Sequence, residues 1–297
     1  MRGSGLEVEV QDMTLIWGGL ALGAVYALVA VGYNIVYISS KTFNFAQAQL
    51  MMVGAFLAYT ALVSWNLTTP VVVLVAAAVV AGVAALEQVV AVNPVRDPHN
   101  ILVTTLGAAI LIDGFVQLQW GSQPLAVPFF AGDDAVTFAG GRVYPVELFL
   151  IILAVVVVVA LTLLSRRTMT GLALLAMAED REAAQLRGVN VRLMAFGAFV
   201  VAGVLAGTVG VFVGPKTYAI STLGASLALK GFVVLAIGGF GSLPGTLVGG
   251  LIVGLAEACA VRYLGSEYAH LTVFLILVAV LLARPSGLFV RVRERVV

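Results

Sequence analysis

The sequence has little of what a redox centre, a metal site or a charged catalytic site requires. Among its 297 residues are one cysteine and two histidines, and only 10% of the residues are charged. The single thiol, Cys259, excludes a disulfide within the chain, and the isolated His99 and His270 offer no metal cluster or histidine-based catalytic pair. Soluble domains carry about 25% charged residues, so the low charge excludes an ordinary soluble protein.

Catalytic and nucleotide-binding motifs are also missing. No Ser-His-Asp arrangement, HExxH motif or pair of aspartates stands out on a predicted span. The segment GVFVGPKT at 210–217 resembles a phosphate-binding loop only superficially, because three residues rather than four separate its glycines and Pro215 stands between Gly214 and Lys216. We therefore expect no enzyme, no metal and no nucleotide site in this chain, and any ATP must be bound by another subunit.

What the sequence does have is long apolar runs. Hydrophobic residues make up 61% of the chain, and the mean hydropathy is +1.09. Because about 20 apolar residues span the hydrocarbon core of a bilayer, we predict an all-α polytopic membrane protein with nine transmembrane helices, within a range of eight to ten. The seventh run is short and contains Lys230, so broken or re-entrant helices are an alternative there. The candidate crossings are 13–38, 43–65, 70–92, 100–120, 145–165, 193–213, 222–238, 245–263 and 269–284.

Basic residues are distributed unequally between the two sides of these spans. If the polar stretch at 166–192 is cytoplasmic, eleven Lys and Arg residues lie inside and four lie outside. By the positive-inside rule, the N-terminus is then outside and the C-terminus is in the cytoplasm. The predicted segments are an extracytoplasmic tail at 1–12, five spans within 13–165, a cytoplasmic loop at 166–192, the remaining spans within 193–284, and a basic cytoplasmic tail at 285–297.

The polar stretch contains one short predicted helix, AEDREAAQLRG. Glu179, Asp180 and Glu182 fall in its first turn, where the positive end of the helix dipole favours carboxylates. Arg187 falls in the last turn, and Gly188 can adopt the left-handed conformation that ends a helix. Nine residues form a helix about 13 Å long, too short to cross a bilayer. We expect something outside the membrane to hold it.

Glycines and turn residues indicate where helices pack and where the chain turns. The loop at 121–144 contains prolines and paired glycines, and we expect it to be an ordered external loop with one short hairpin. Glycines at about four-residue spacing in the sixth and eighth spans favour close helix packing, with a hinge as the alternative. The segment GGFGSLPG is either a tight cytoplasmic turn or the break of a discontinuous helix. Its hinge candidates are Gly238, Gly239, Gly241, Pro244 and Gly245.

Few polar side chains are placed at membrane depth, where ionisable groups usually face a bundle interior or a water-filled path. Asp113 could bind a substrate ammonium group or pair with Lys230. Glu87 and Glu257 lie near span ends, where helix termination or snorkelling accounts for them. The segment at 33–56 has a polar, aromatic and non-periodic centre, typical either of a turn or of a chain that lines a cavity. Candidates for the translocation path are Tyr33, Asn44, Phe45, Gln47, Gln49, Thr104, Thr105 and Asp113.

Glu182, Ala183 and Ala184, followed after three residues by Gly188, resemble the EAA-x3-G signature of bacterial ABC importer permeases. The context AMAEDREAAQLRGVNV is similar to the LivH-type permeases of branched-chain amino acid importers. Further similar segments follow in the same order over nearly the whole chain, including GLALGAVYALVAVGYNIVY, EQVVAVNPVR, TTLG, GGFGSLPGTLVGGLIVGLAEA, GSEY and RPSGLF. The resemblance implies that the short helix couples the permease to an ATPase. The implied coupling residues are Glu179, Asp180, Arg181, Glu182, Ala183, Ala184 and Gly188.

The resemblance also implies partners and a place in the cell. These are a second related permease, two cytoplasmic ATPase subunits that bind ATP and Mg²⁺, an extracytoplasmic binding protein, and the bacterial inner membrane, with no cofactor in this chain and no nucleic acid partner. The cargo would be branched-chain or other hydrophobic amino acids. However, the family commonly has NFAHG where this chain has Gln47 and Ala48 in place of the histidine and glycine. Urea, short amides or aromatic acids are therefore alternatives, and a channel or carrier that needs no ATP is an alternative of another class.

Overall fold

The computed structural model describes residues 3–95, 97–132, 134–138, 140–284 and 287–289. These residues are almost entirely helical, with one two-stranded hairpin. The helices are α1 (Gly3–Ser40), α2 (Gln47–Tyr59), α3 (Thr69–Glu87), α4 (Pro98–Trp120), α5 (Pro145–Arg167), α6 (Met169–Glu179), α7 (Arg181–Leu186), α8 (Val191–Thr217), α9 (Leu223–Gly238), α10 (Leu243–Tyr263) and α11 (Ala269–Ala283). Single π-helical turns extend α2 to Ser64 and α3 to Val92, and a 3-10 turn at Ser266–Tyr268 precedes α11. The predicted all-α membrane fold is confirmed.

Eight helical segments of the described chain are long and apolar enough to cross a membrane. The segments are Gln11–Ser40, Gln47–Ser64, Thr69–Val92, His99–Trp120, Pro145–Arg167, Val191–Thr217, Leu243–Tyr263 and Ser266–Ala283. The predicted seventh span is α9, a continuous helix of 16 residues, which is shorter than the length that a typical bilayer requires. The eight segments fall within the predicted range of eight to ten.

The ends of the chain differ in how much of them the structure describes. Because α1 begins at Gly3, residues 3–12 of the predicted tail continue the first helix. Of the predicted basic tail at 285–297, only residues 287–289 lie within the described part. The loop at 121–144 contains the expected hairpin, in which β1 (Val136–Phe138) pairs with β2 (Gly141–Val143) in antiparallel register.

The described residues form two compact units. The first consists of Met1–Asn34, Asp134–Val159 and Lys230–Val297. Inside it, α1 and α10 approach closely through small residues. A methyl group added to Gly23 would lie 2.8 Å from the Leu251 Cα atom, and one added to Gly19 would lie 2.8 Å from the Ala258 Cβ atom. Without side chains at these positions, the two backbones pack directly against each other.

The second unit consists of Ile35–Asp133 and Ala160–Leu229. Its centre is formed by α2, α3 and α8, and the glycines of α8 are the contact points. A methyl group on Gly207 would lie 3.0 Å from the Ala77 Cα atom of α3, and one on Gly210 would lie 2.9 Å from the Gly54 Cα atom of α2. The prediction that these glycines serve helix packing is confirmed. The segment 210–217 lies inside α8, so it forms a helix rather than a phosphate-binding loop.

Candidate coupling segment and translocation path

The predicted coupling residues form a helix–turn–helix outside the span-length helices, within the second unit. The Asp180 side chain accepts hydrogen bonds from the backbone amides of Glu182 and Ala183, each at 3.0 Å, and thereby caps α7. Gly188 has a φ of 88°, in the left-handed region, and follows directly after the C-cap Arg187. The predicted role of Gly188 in ending the helix is confirmed, because a glycine adopts this conformation without steric cost.

The predicted start of this helix is wrong. The stretch AEDREAAQLRG is divided between two helices, because Asp180 has an extended backbone with φ −149° and ψ 109°. Glu179 is the last residue of α6, and Arg181 is the first of α7, which has 6 residues rather than nine. The physical reason is the capping bond itself, since a carboxylate that accepts from the amides two and three residues ahead requires non-helical backbone at its own position.

A small apolar cluster packs one side of α7 against α6 and α8. Met177 of α6, Ala184 of α7 and Val191 of α8 are buried together. Leu186 faces the other way and is 90% exposed. The short helix therefore has one side anchored to its own unit and an apolar side chain directed to the surroundings.

Most of the predicted path residues belong to the second unit and meet near the start of α2. The Asn44 side chain donates to Glu87 Oε2 at 3.1 Å and accepts from the Ala46 amide at 2.9 Å. The Gln47 side chain donates to the Ala202 carbonyl of α8 at 3.1 Å. Asn44, Gln47 and Glu87 are buried. The chain thus turns here, and its polar groups are directed into the protein rather than into lipid.

Along one side of α2, polar contacts to α4 recur at increasing distance from this turn. The Phe45 amide lies 3.4 Å from Thr105 Oγ1, the Gln49 side chain lies close to Asp113, and Trp120 Nε1 donates to Thr60 Oγ1 at 2.8 Å. The two helices therefore run in the same direction. Thr104 belongs to a different contact, because its hydroxyl donates to the Ala91 carbonyl at 2.6 Å.

The first unit contains a buried ion pair between Lys230 and Glu257. Lys230 Nζ donates to Glu257 Oε1 at 2.6 Å and to the Tyr26 hydroxyl at 2.9 Å. The predicted alternative in which Lys230 pairs with Asp113 is therefore wrong. The snorkelling predicted for Glu257 is also wrong, because Glu257 is buried, as is Glu87. Tyr33, the remaining path candidate, is buried in the first unit beside Gly231.

The hinge candidates form a tight turn between α9 and α10. Gly238 ends α9, Gly239 and Gly241 have positive φ values, Pro244 stands in the first turn of α10, and Gly245 donates to the Ser242 side chain. The Asn34 side chain holds this turn by accepting from the Gly241 amide at 2.7 Å and donating to the Ser242 carbonyl at 3.2 Å. Hinge motion at these residues stays a prediction.

Two buried polar contacts were not predicted from the sequence. The Lys230–Glu257–Tyr26 cluster joins α9, α10 and α1, and the Asn44–Glu87 bond joins residues that are 43 positions apart. The available signal was that each is a polar residue inside an apolar run, for which a partner is expected. The sequence does not identify the partner of each polar residue, because the partner depends on which helices are neighbours in the fold.

Comparison with known proteins also indicates a membrane permease. The family model described as "Branched-chain amino acid transport system / permease component" matches residues 15–281. The chain is 32% identical over 292 residues to the high-affinity branched-chain amino acid transport system permease protein LivH of Escherichia coli K12, covering 93% of this chain and 94% of that protein. It is 31% identical over 290 residues to the corresponding permease protein BraD of Pseudomonas aeruginosa, covering 92% of this chain and 94% of that protein.

A solved structure shares the fold. PsaBC from Streptococcus pneumoniae, determined in complex with Fab, matches with a TM-score of 0.52 at 10% sequence identity and covers 94% of this chain and 95% of that chain. At this identity the likeness concerns the fold alone. The family model and the relatives match nearly the whole sequence, and the eight span-length helices agree with a multi-pass permease. The chain therefore belongs to the family of permease components of branched-chain amino acid transport systems.

Proposed function

We propose that this chain is the membrane-spanning subunit of an ATP-driven bacterial importer that moves branched-chain or other hydrophobic amino acids inward by alternating access. Its relatives are named as permease proteins of high-affinity branched-chain amino acid transport systems, which supports the cargo class. The complex would contain a second related permease, two cytoplasmic ATPase subunits and an extracytoplasmic binding protein. It would lie in the inner membrane, with the N-terminus of this chain outside and its C-terminus in the cytoplasm.

The observation that carries the proposal is the exposed side of α7. The helix is capped by Asp180, supported from below by Met177 and Val191, and presents Leu186 at 90% exposure. A short, anchored helix with one protruding leucine can bind a partner, and a movement of that partner would then displace the helix and the neighbouring spans α5 and α8. Because α6 follows α5 directly and α8 follows α7 after a four-residue turn, a displacement of α7 acts on the ends of two spans.

ATP and Mg²⁺ would be bound by the ATPase subunits rather than by this chain. ATP binding would close the ATPases and displace α7, which would tilt the attached spans and open the path outward. The importer would then accept cargo from the binding protein, and ATP hydrolysis would return the path to its inward-facing state.

Co-purification from the native host tests the proposal. We expect ATPase subunits and a binding protein to copurify with this chain, and the ligand of that binding protein to be a branched-chain or other hydrophobic amino acid. Leu186→Asp should remove the ATPase subunits and ATP-dependent uptake in proteoliposomes, whereas Leu186→Met should keep both, because it preserves an apolar side chain. Uptake by this chain alone, without any ATPase, would overturn the proposal in favour of a channel or carrier.

A further inference from the structure

The start of α2 is buried inside the second unit and carries unpaired hydrogen-bonding groups. The first amides of any helix lack partners within the helix. Here the Ala46 amide donates to the Asn44 side chain, and the Gln47 amide donates to the Asn44 carbonyl at 3.2 Å. The next two amides, those of Ala48 and Gln49, have no hydrogen-bond partner among the residues that the structure describes. Both residues are buried, so water does not solvate these amides freely.

An unpaired carboxyl oxygen lies beside the same turn. Glu87 is only 6% exposed, and its Oε2 atom accepts from the Asn44 side chain that also receives the Ala46 amide. Its other oxygen, Oε1, is buried without a hydrogen-bond partner in the described structure. A buried carboxylate normally finds a cation. In the described part of the chain, no Lys or Arg forms an ion pair with Glu87.

A further unpaired acceptor belongs to this region. Gln47 is 1% exposed, and while its amide nitrogen is bound to the Ala202 carbonyl, its Oε1 atom has no partner in the described structure. Ala202 precedes Gly203, which packs against Ala84, one helical turn before Glu87. The Gln47 carboxamide and the Glu87 carboxylate therefore occupy the same part of the contact between α2, α3 and α8.

These groups, all buried in the second unit around the start of α2, have opposite requirements. The free amides at a helix start attract an anion, and the helix dipole strengthens that attraction. The free oxygens of Glu87 and Gln47 accept hydrogen bonds and attract a donor that carries positive charge. Internal capping of α2 through Asn44 accounts for the bonds that are formed, but it leaves two amides and two oxygens unsatisfied. A ligand that has an ammonium group and a carboxylate on the same carbon atom would satisfy both sets.

We propose that the buried start of α2 binds the main-chain groups of an amino acid in transit, with the carboxylate on the amides of Ala48 and Gln49 and the ammonium group on Glu87 and Gln47. This site rests on the proposed function, because it assumes that amino acids pass this chain. In this site the chain recognises the charged ammonium and carboxylate groups of the amino acid rather than its hydrophobic side chain. Urea and short amides lack both charges, so the site excludes them as preferred ligands.

Ligand discrimination by the wild-type protein is the first test. The purified full-length chain, with its co-purified membrane subunits but without binding protein and ATP, would be placed in lipid nanodiscs. Displacement of radiolabelled L-leucine would be measured with L-leucine, with 4-methylpentanoate, which lacks the ammonium group, and with 3-methylbutylamine, which lacks the carboxylate. We expect each single-charge analogue to bind at least about tenfold more weakly than leucine, because a charge-assisted hydrogen bond is lost. Equal displacement by the analogues, or no leucine binding, would overturn the site.

A matched pair of variants assigns the binding to this site rather than to another subunit. Glu87→Gln keeps the size and the bond to Asn44 but removes the charge, so leucine binding should weaken about tenfold or more while 4-methylpentanoate binding should not weaken. Glu147→Gln makes the same change at another buried glutamate, in the first unit, and should leave leucine binding unchanged. Wild-type leucine affinity in Glu87→Gln would overturn the assignment. If that variant does not fold, the analogue series on the wild-type protein decides.

The measurement separates this site from the proposed ATP-driven mechanism. Binding is measured without ATP, so a failure of Leu186→Asp to abolish uptake would overturn the coupling mechanism and leave the binding result unaffected. Conversely, ATP-dependent uptake that depends on Leu186, together with equal affinity for leucine and its single-charge analogues, would overturn the site alone.

Discussion

The Nζ atom of Lys230 lies 2.6 Å from the Oε1 atom of Glu257, and both side chains are buried in the same unit. The Tyr26 hydroxyl accepts a further hydrogen bond from Lys230 at 2.9 Å, so three helices, α1, α9 and α10, share one charged cluster. Inside a span there is no water to solvate either charge, and each therefore depends on the other. This cluster connects α9, which is shorter than the eight span-length segments, to α1 and α10.

Removing one member of this pair should destabilise the protein more than removing both. We expect Lys230→Met to cost about 3–5 kcal/mol, because it leaves a buried, uncompensated carboxylate. The double variant Lys230→Met with Glu257→Leu should recover most of that loss, since no charge then remains buried. Thermal unfolding of the purified protein in nanodiscs, arranged as a double-mutant cycle, measures the coupling. Additive effects of the two substitutions would contradict the pairing.

The close approach of α8 to α3 predicts a position-specific effect of glycine replacement. Gly207→Val adds a side chain whose Cβ atom would lie 2.9 Å from the Ala76 carbonyl carbon, so the helices must separate, at a cost of about 1–3 kcal/mol. Gly197→Val on the same helix meets nothing within 4 Å and should leave the melting temperature nearly unchanged. A similar loss of stability in both variants would contradict the packing explanation, because glycine is the poorer helix former and helix propensity alone favours valine.

The cap on α7 predicts a local effect that need not reach the rest of the protein. Asp180→Ala should cost about 1 kcal/mol in the stability of this helix, because the amides of Glu182 and Ala183 lose their acceptor. Hydrogen exchange of the peptide that covers α7 should become faster, while exchange in α8 stays the same. Asp180→Asn retains an acceptor oxygen and serves as the control. Unchanged exchange in Asp180→Ala would contradict the capping role.

The turn between α9 and α10 depends on a residue far away in sequence. Asn34→Leu removes both hydrogen bonds to Gly241 and Ser242, and we expect a loss of about 1–3 kcal/mol because two backbone groups become unsatisfied. Faster hydrogen exchange at residues 239–242 would report the released turn. Asn100→Leu, at an exposed asparagine in the second unit, should have no such effect. If exchange at the turn does not change, Asn34 does not hold it.

Positions of the spans could be predicted closely from the sequence. Predicted crossings at 70–92, 100–120 and 145–165 correspond to segments Thr69–Val92, His99–Trp120 and Pro145–Arg167. The reason is that lipid imposes one local requirement, a continuous apolar helix of fixed length, and this requirement is visible in hydropathy alone. The role of Gly188 in ending α7 was also predictable from the sequence, because the left-handed backbone conformation of a residue that ends a helix is a local property of the chain.

The first residue of a helix was harder to predict from the sequence where it depends on a single capping hydrogen bond. The acidic run Glu179–Glu182 favoured one helix, but the Asp180 side chain caps α7 and breaks the run into two helices. Both outcomes use the same preference of carboxylates for helix N-termini. Asp180, with its extended backbone, is the carboxylate that becomes the cap, and the helices on either side of it pack together with α8 through Met177, Ala184 and Val191.

The sequence by itself determined that this protein is a helical membrane permease and where its spans lie. Only the tertiary structure decided that Lys230 pairs with Glu257, that Asn44 joins Glu87, and that α2 starts in a buried place with free amides. The physical reason is the range of each effect. Hydropathy and capping act between residues close in sequence, whereas a buried polar group takes its partner from whichever helix packing places beside it.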